Sequence, residues 1–248
     1  MIDLHTHLLP GLDDGVADDA ECLALAKAFV ADGVRVAVGT PHVRDDYPTT
    51  PDEMEAALAR ARSVVGEAGL PLEVLGGGEI ALDRLALLDD DALARFAYGE
   101  ARVVLLESPV YGWPLDLQDV IWGLRIRGFA PVLAHPERNA EVAESPSRLR
   151  PYVEAGALAQ LTAGSIDGRF GRAAAKVCRE LLDLELAHFI SSDAHGAGVR
   201  EAGLSGAVKE VGAELGRWLT VDVPEALLGG AALPPRPAGR RRRRLFRR

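Results

Sequence analysis

Residues 1–15, MIDLHTHLLPGLDDG, place two histidines in alternation and two aspartates beside a glycine. If residues 2–7 form a β-strand, His5 and His7 project from the same face, because side chains two positions apart share a face. Two neighbouring imidazoles of this kind suit a metal ion, whereas a half-buried strand with two polar positions is the structural alternative. The rest of the chain has to decide between these interpretations.

Apolar runs rich in β-branched residues alternate with amphipathic segments along almost the whole chain. We predict seven strands, at residues 1–7, 34–40, 72–78, 102–107, 130–135, 157–163 and 188–193. We predict five helices between them, at residues 17–33, 51–69, 115–128, 145–156 and 168–185. This alternation predicts an α/β fold in which helices cover a parallel sheet, either a barrel or an open doubly wound sheet. No glycine-rich phosphate loop follows the first strand, which disfavours nucleotide-binding open sheets.

The composition is that of an ordinary globular protein, with 48% of 248 residues hydrophobic and 26% charged. No secretory signal pattern and no uninterrupted apolar segment of membrane-spanning length is seen, so we expect a soluble, cytoplasmic protein. Cys22 and Cys178 are the only cysteines, which argues against a disulfide framework. Six positions after each, where a cysteine-dependent phosphatase needs an arginine, stand Ala28 and Leu184.

Charge is divided unevenly along the chain. The net charge is −9, yet eight arginines and no acid lie in residues 236–248, so residues 1–235 hold 20 basic against 37 acidic groups. An acidic body argues against nucleic acid as a partner and suits a cation site built from carboxylates. We predict one domain over residues 1–230 and a disordered Pro/Arg-rich tail over residues 231–248. Electrostatic contact of this tail with an anionic membrane or an acidic partner is the alternative.

Five of the six histidines and four acids stand at or just past predicted strand ends; His188 begins a strand and is predicted to be structural. Reactive residues of parallel barrels lie at the carboxyl ends of the strands, so these side chains are expected to converge on one rim. So many polar groups would be costly to bury without a cation. Imidazole and carboxylate without thiolate favour Mn, Fe or Zn, and nine ligands suit two or three ions. The predicted ligands are His5, His7, Asp14, His42, Glu79, Glu107, His135, Asp193 and His195.

The motifs HTH, DDG, TPH, GGEI, LLE, AHPER and SSDAH resemble those of the PHP (polymerase and histidinol phosphatase) superfamily. The chain is most similar to the bacterial manganese-dependent tyrosine-protein phosphatases of capsule and exopolysaccharide operons, from Met1 to about Leu228. AHPERN and LTAGSIDGRFG are the more specific matches. The resemblance implies a distorted (β/α)7, TIM-like barrel, the PHP fold, with a trinuclear Mn²⁺ site for which Fe or Zn are the alternatives.

The resemblance also implies which ligands share an ion. It assigns one ion to His5, His7, Glu79 and Asp193. It assigns a second ion to Glu107, His135 and a bridging Glu79. It assigns the third ion to Asp14, His42 and His195. Spacing alone does not separate Asp14 from its neighbour Asp13 as the ligand.

Two arginines match the phosphate-binding arginines of that family, Arg138 in HPER and Arg200 five residues after the last predicted ligand. A guanidinium fork suits phosphate oxygens, although for Arg200, in a glycine-rich loop, a solvent-exposed side chain is the alternative. The chain departs from the family pattern at Val43, where many relatives have a second histidine, and at Gly196, where asparagine is frequent. Both departures concern substrate contacts and leave the predicted ligands intact.

The reaction expected from these residues is hydrolysis of a phosphomonoester by metal-activated water, with Asp193, His195, Arg138 and Arg200 as catalytic residues. The resemblance implies a protein-tyrosine phosphatase whose substrate is a phosphotyrosine protein, a bacterial tyrosine kinase, in capsule or exopolysaccharide regulation. A phenolate of pKa about 10 leaves readily and demands little of a general acid, for which Asp193 or His195 is the candidate. The alternatives are histidinol phosphatase or another small-molecule PHP phosphoesterase, and a non-catalytic barrel.

Overall fold

The computed structural model describes residues 1–196 and 202–238. It contains nine parallel strands in these residues. Their bounds are β1 Ile2–Thr6, β2 Val36–Gly39, β3 His42–Val43, β4 Glu73–Gly76, β5 Glu79–Ala81, β6 Val103–Glu107, β7 Ala130–Ala134, β8 Leu158–Thr162 and β9 Phe189–Ser191. Each of the seven predicted strands is therefore present, and β3 and β5 are short additions to them.

The helices lie between and after the strands. Their bounds are α1 Asp19–Ala31, α2 Pro51–Glu67, α3 Leu82–Leu85, α4 Asp90–Phe96, α5 Leu117–Ile126, α6 Ala140–Glu144, α7 Arg150–Glu154, α8 Ala163–Ile166, α9 Arg172–Asp183, α10 Ser205–Val211, α11 Ala213–Arg217 and α12 Val223–Leu228. The predicted helix over residues 145–156 is divided into a 3₁₀ turn, Pro146–Leu149, and α7. Pro151 has no N–H to continue an α-helical ladder, which accounts for this division.

Local sequence signals explain where the long helices begin and end. Asp18 caps α1 by accepting from the N–H groups of the first turn, and Thr50 and Glu53 form a capping box at the start of α2. The four glycines that precede strands, Gly33, Gly69, Gly128 and Gly156, all have a positive φ. A left-handed conformation after a helix favours glycine, which lacks the Cβ that would clash.

Two sheets make up a distorted (β/α)7 barrel. The first has the order β1-β2-β4 and the second has the order β3-β5-β6-β7-β8-β9. β3 continues the path of β2 after a break at residues 40–41, and β5 continues β4 after residues 77–78. The ends of β9 and β1 are joined by Asp193 N–H to His5 O and by His7 N–H to Ala194 O, both 2.9 Å. Seven strand paths thus follow one another around the barrel.

The barrel strands are buried on both faces, as parallel strands covered by helices are. Residues 103–106 of β6 are fully buried apolar side chains, and β1 is buried throughout although it holds Asp3 and His5. Large apolar side chains such as Phe29, Phe96 and Phe189 pack in the same core. Polar groups inside such a core require partners. The C-terminal end of the barrel, where buried polar side chains cluster, is therefore the candidate functional site.

The domain boundary at residue 230 stays a prediction. Residues 231–238 have no regular secondary structure and lie against the barrel: Trp218 Nε1 donates to Pro234 O (3.1 Å), and Arg236 donates to Ala187 O (2.8 Å) and Leu182 O (3.0 Å). Residues 239–248, with most of the arginines, lie outside the described residues. None of the helices in the described part has the length and apolar character needed to cross a bilayer.

Candidate metal centre

All nine predicted ligands lie at the C-terminal end of the barrel, on or just after strand ends. The parallel pairing of β3 with β5 puts His42 directly beside Glu79. Among residues 1–196 and 202–238, three groups have potential ligand atoms within 4.8 Å of one another. The first group is His5, His7, Glu79 and Asp193; the second is His7, Asp14, His42 and His195; the third is His42, Glu79 and Glu107.

These groups agree closely with the sets implied by resemblance. The first group is identical to a predicted set, and the second adds His7 to another. The third has His42 in place of His135, whose Nε2 lies 2.8 Å from Glu79 Oε1. The assignment of single residues to single ions stays a prediction.

Glu79 is the centre of the cluster. It is fully buried, and its Oε2 lies 3.2 Å from His5 Nε2, 3.5 Å from His7 Nε2 and 3.0 Å from His42 Nδ1. With His135 at its other oxygen, Glu79 faces four imidazoles. A carboxylate between so many ligand atoms has the placement expected of a bridge between cations.

Four of the potential metal-ligand atoms that face one another have no hydrogen-bond partner within the described residues. His5 Nε2, His7 Nε2, His42 Nδ1 and Glu79 Oε2 are buried and make no hydrogen bond within the described residues. A buried polar group without a partner costs about 1–3 kcal/mol, and a bound cation removes that cost for every ligand at once. The donor set, imidazole nitrogen with carboxylate oxygen, therefore fits divalent ions such as Mn, Fe or Zn.

Electrostatics in the cluster follow from its mixed charge. Burial alone would lower the pKa of His5 and His7, but the surrounding carboxylates outweigh burial and raise both pKa values above 6.5. Burial alone would raise the pKa of Glu79 and Asp193, but neighbouring histidines, with Arg138 also acting on Asp193, lower both pKa values well below the usual range. The carboxylates are thus in the ionised form that binds cations.

Arg138 reaches the same end of the barrel, while Arg200 lies outside the described residues. The guanidinium of Arg138 lies 2.6 Å from Asp193 Oδ2 and donates to Thr162 Oγ1 at 3.1 Å. Two contacts leave part of its donor fork for another anion. Arg138 therefore lies beside the cluster, and its predicted role in phosphate binding stays a prediction.

Comparison with known proteins identifies the family. A family model described as capsular polysaccharide synthesis, CpsB/CapC, matches residues 1–227. The chain belongs to the CpsB/CapC family. It is 35% identical to the tyrosine-protein phosphatase YwqE of Bacillus subtilis over 99% of both chains. It is 32% identical to the putative tyrosine-protein phosphatase CapC of Staphylococcus aureus, over 79% of this chain and 77% of CapC.

Solved structures agree with this family. A structure from work on YwqE of Bacillus subtilis and CpsB of Streptococcus pneumoniae, described as unique metal-dependent tyrosine phosphatases, aligns with a TM-score of 0.84 at 33% identity. The alignment covers 97% of this chain and all of that chain. An organophosphorus hydrolase of Deinococcus radiodurans aligns with a TM-score of 0.55 at 16% identity over 92% of both chains, a likeness in fold alone.

Adjacent aspartates have different places in this CpsB/CapC chain. Asp14 Oδ1 lies 3.5 Å from His42 Nε2 and 3.3 Å from His195 Nε2, so its carboxylate belongs to the cluster. Asp13 is turned away from the ligand atoms: it lies 2.6 Å from His7 Nδ1 and accepts the His42 N–H at 2.9 Å. Such a carboxylate orients an imidazole whose other nitrogen is the ligand. The geometry favours Asp14 as the ligand and Asp13 as the carboxylate that orients His7.

Sequence reasoning missed three polar residues around the cluster. Gln160 Oε1 lies 3.0 Å from His5 Nδ1, Asp3 accepts the Ser192 N–H at 3.0 Å, and Arg44 donates to Glu107 Oε1 at 3.0 Å. The signal for Gln160 is a single amide inside an apolar strand, and the signal for Asp3 is its alternation with the two histidines. Arg44 carries no comparable signal, because it lies in a loop.

Two of the predicted ligands have an unusual backbone conformation. His135 has φ 37° and Asp193 has φ 54°, in the left-handed region that residues other than glycine seldom adopt. Each such conformation costs on the order of 1–3 kcal/mol and persists where surrounding structure enforces it. His135 directly follows β7, and Asp193 lies two residues after the end of β9.

The remaining histidine and the cysteines lie away from the cluster. His188 Nδ1 accepts the Ala159 N–H at 3.1 Å at the opposite end of the barrel, in agreement with a structural role. Cys22 and Cys178 are buried, and burial raises the pKa of each thiol, to about 11 for Cys22. Neither cysteine therefore offers the thiolate that a cysteine-dependent phosphatase needs.

Proposed function

We propose that this chain is a metal-dependent protein-tyrosine phosphatase, a hydrolase of phosphoric monoesters. The observation that carries the proposal is a buried cluster of imidazoles and carboxylates with Arg138 beside it. In this cluster Nε2 of His5 and His7 and Oε2 of Glu79 make no hydrogen bond within the described residues. YwqE of Bacillus subtilis, a tyrosine-protein phosphatase, matches over nearly the full length. No observation favours histidinol phosphate or another small phosphoester over this substrate class.

The proposed cofactor is Mn²⁺, up to three ions, with Fe or Zn as alternatives. The nine predicted residues are the proposed ligands, and the buried atoms of His5, His7, His42 and Glu79 that make no hydrogen bond support this assignment. Divalent ions bound there supply a water nucleophile of lowered pKa and neutralise charge on the phosphoryl group.

The side chains of the protein perform the remaining tasks. Arg138 and Arg200 are the proposed phosphate-binding residues, because a guanidinium matches phosphate oxygens bidentately. Asp193 and His195 are the proposed proton donors to the leaving phenolate. His5 and His7, together with Arg138, hold the pKa of Asp193 well below its usual range, which favours His195 as the donor of this pair. A phenolate of pKa about 10 leaves with little assistance, so this step contributes less than charge neutralisation.

In the cell, the proposed substrate is the phosphotyrosine of a bacterial tyrosine kinase in capsule or exopolysaccharide regulation, and the proposed location is the cytoplasm. The family description, capsular polysaccharide synthesis, supports this assignment. The acidic body, with 20 basic against 37 acidic groups in residues 1–235, argues against a nucleic-acid substrate.

The arginine tail is proposed to contact an anionic membrane or an acidic partner. Arg236 is held at the N-terminal end of the barrel by the carbonyls of Leu182 and Ala187, opposite the cluster. Sedimentation with phosphatidylserine vesicles, compared with phosphatidylcholine vesicles and with a chain ending at residue 238, tests this contact.

Chelation tests the proposed chemistry. We expect hydrolysis of para-nitrophenyl phosphate to stop in chelator and to return with Mn²⁺, while a protein with Cys22→Ser and Cys178→Ser keeps its activity. Undiminished hydrolysis after metal has been stripped would contradict the proposal. A higher kcat/KM for histidinol phosphate than for a phosphotyrosine peptide would favour the small-molecule alternative.

A further inference from the structure

A cavity of about 520 Å³ lies directly beside the metal centre, at the C-terminal ends of β5 and β6. Glu107, a proposed ligand, lines it on one side. Leu82 and the segment of residues 108–114 form its walls. Any phosphoester held by the cluster next to Glu107 has to extend its remaining atoms away from the metal centre, and this cavity adjoins that point.

The cavity wall exposes apolar groups that the fold itself does not use. Val110 and Tyr111 are 59% and 80% exposed, and Pro109 and Pro114 line the same cavity. A large aromatic side chain left in water beside a reaction centre is typical of a binding surface. The chemistry of the wall suits an apolar side chain of a ligand.

Two buried polar groups in the wall have no partner. Ser108 Oγ and Trp113 Nε1 both belong to residues that line the cavity, and neither makes a hydrogen bond within the described residues. A buried hydroxyl or indole N–H without a partner costs about 1–3 kcal/mol. Peptide carbonyl oxygens are acceptors for both groups, so a bound polypeptide would remove this cost.

The wall is fixed relative to the proposed phosphate site. Asn139, the residue after Arg138, donates from Nδ2 to Pro109 O at 2.7 Å, and the Ala140 N–H donates to Val110 O at 2.9 Å. The ring of Trp113 packs against Tyr152 with centroids 5.1 Å apart. Binding to such a preformed wall costs less conformational entropy than binding to a loop that must first be ordered.

We propose that this cavity binds the residues flanking the phosphotyrosine of a protein substrate. An apolar flanking side chain occupies the cavity, while main-chain carbonyls of the substrate accept from Ser108 Oγ and Trp113 Nε1. This inference rests on the proposed phosphatase function. It makes Tyr111 and Trp113 specificity-determining residues and gives Asn139, in the AHPERN motif, the role of positioning the wall beside Arg138.

The test uses two phosphotyrosine peptides that differ only at the flanking positions, leucine in one and serine in the other, with para-nitrophenyl phosphate as a third substrate. We expect the wild-type kcat/KM to be about tenfold higher for the leucine peptide. Tyr111→Ser is expected to reduce this preference to about twofold or less, whereas Trp113→Phe is expected to lower kcat/KM for both peptides alike and to leave para-nitrophenyl phosphate unaffected, because the indole N–H meets the main chain that both peptides share. Phenylalanine keeps the packing against Tyr152 and removes only the N–H and part of the ring.

The matched control is Trp122→Ser, because Trp122 is also an exposed aromatic residue, 61% exposed on α5, and does not line the cavity. This variant is expected to keep the wild-type preference. A wild-type enzyme that hydrolyses both peptides equally, a preference that survives in Tyr111→Ser, or unchanged kcat/KM for both peptides in Trp113→Phe overturns the inference and leaves the proposed function standing. Absence of metal-dependent hydrolysis of all three substrates overturns both.

Discussion

The two ends of the barrel treat buried histidine in opposite ways. At the C-terminal end, His5 and His7 lie among carboxylates, which raise the pKa of both above 6.5 against the effect of burial. At the N-terminal end, burial and the nearby Arg236 lower the pKa of His188 to about 4. The groups around a buried histidine therefore decide the direction of its pKa shift: carboxylates raise the pKa, whereas burial beside an arginine lowers it.

Hydrogen bonding separates the two ends in the same way. His188 accepts from Ala159, Arg236 donates to two carbonyls and Trp218 donates to Pro234. At the C-terminal end, by contrast, ligand atoms of His5 and Glu79 are buried without hydrogen-bond partners. Satisfied polar groups stabilise a fold, whereas converging unsatisfied ones indicate a ligand. The comparison therefore distinguishes a structural histidine from the histidines that are proposed to bind metal.

The largest effect is expected from Glu79→Gln, because it removes the charge that faces four imidazoles. We expect kcat/KM for para-nitrophenyl phosphate to fall by about 10³-fold or more and bound Mn²⁺ to decrease. Elemental analysis and steady-state kinetics measure both. Glu73→Gln, an exposed neighbour on β4, is the control. Normal metal content and activity in Glu79→Gln would contradict the assignment of a metal centre to the C-terminal end of the barrel.

Arg138→Lys is expected to lower kcat/KM by about 100-fold, because lysine keeps the charge and loses the planar donor fork. The loss is expected with metal content unchanged, which separates phosphate binding from metal binding. Arg148→Lys, at an exposed arginine paired with Glu141, is the control. Equal activity of the two variants would show that Arg138 serves the structure alone.

His188 is expected to make the protein less stable in acid. Its pKa is about 4 when folded against 6.5 when unfolded, so the unfolded state takes up the proton first as pH falls. From pH 7 to pH 5, the wild-type free energy of unfolding should fall by about 2 kcal/mol more than that of His188→Gln. Urea unfolding of both proteins in chelator measures the difference. Parallel pH dependence of the two proteins would contradict the lowered pKa.

The smallest effect is expected from Asp13→Asn, which changes a support of His7 and leaves the ligand atoms in place. We expect the affinity for Mn²⁺ to fall by about tenfold with the number of bound ions unchanged. Asp14→Asn, the neighbouring change, is expected to lower the number of bound ions. Titration of metal into the apoprotein measures both quantities. The reverse pattern would exchange the roles of the two aspartates.

Much of the fold follows from local sequence pattern. All seven strands were predictable because apolar β-branched runs and helix-ending glycines are short-range signals. The breaks that divide β2 from β3 and β4 from β5 were not predictable from the sequence, because they depend on the packing of neighbouring strands and helices. Gly76 shows this: a Cβ there would lie 2.7 Å from Met54 Sδ on α2, a contact that exists only after packing.

The site shows the same division between local and tertiary information. Asp3, His5 and His7 alternate along β1 and the residue after it. By the two-residue period of a strand alone, the three side chains would share one face and be equivalent candidates for ligands. Asp3 lies two residues deeper, roughly 6–7 Å along the strand, and meets Ser192 instead of the ligand atoms. The depth of a residue in the barrel is a property of the assembled strands.

By itself, the sequence determined the chemistry of this protein: nitrogen and oxygen ligands at strand ends, an arginine beside them and no reactive thiol. Only the tertiary structure decided which atoms meet, placing Asp14 in the cluster and Asp13 behind His7, and leaving Ser108 and Trp113 without partners in a cavity. The physical reason is that residue type fixes what a group can bind, whereas hydrogen bonding and burial depend on neighbours that only folding brings together.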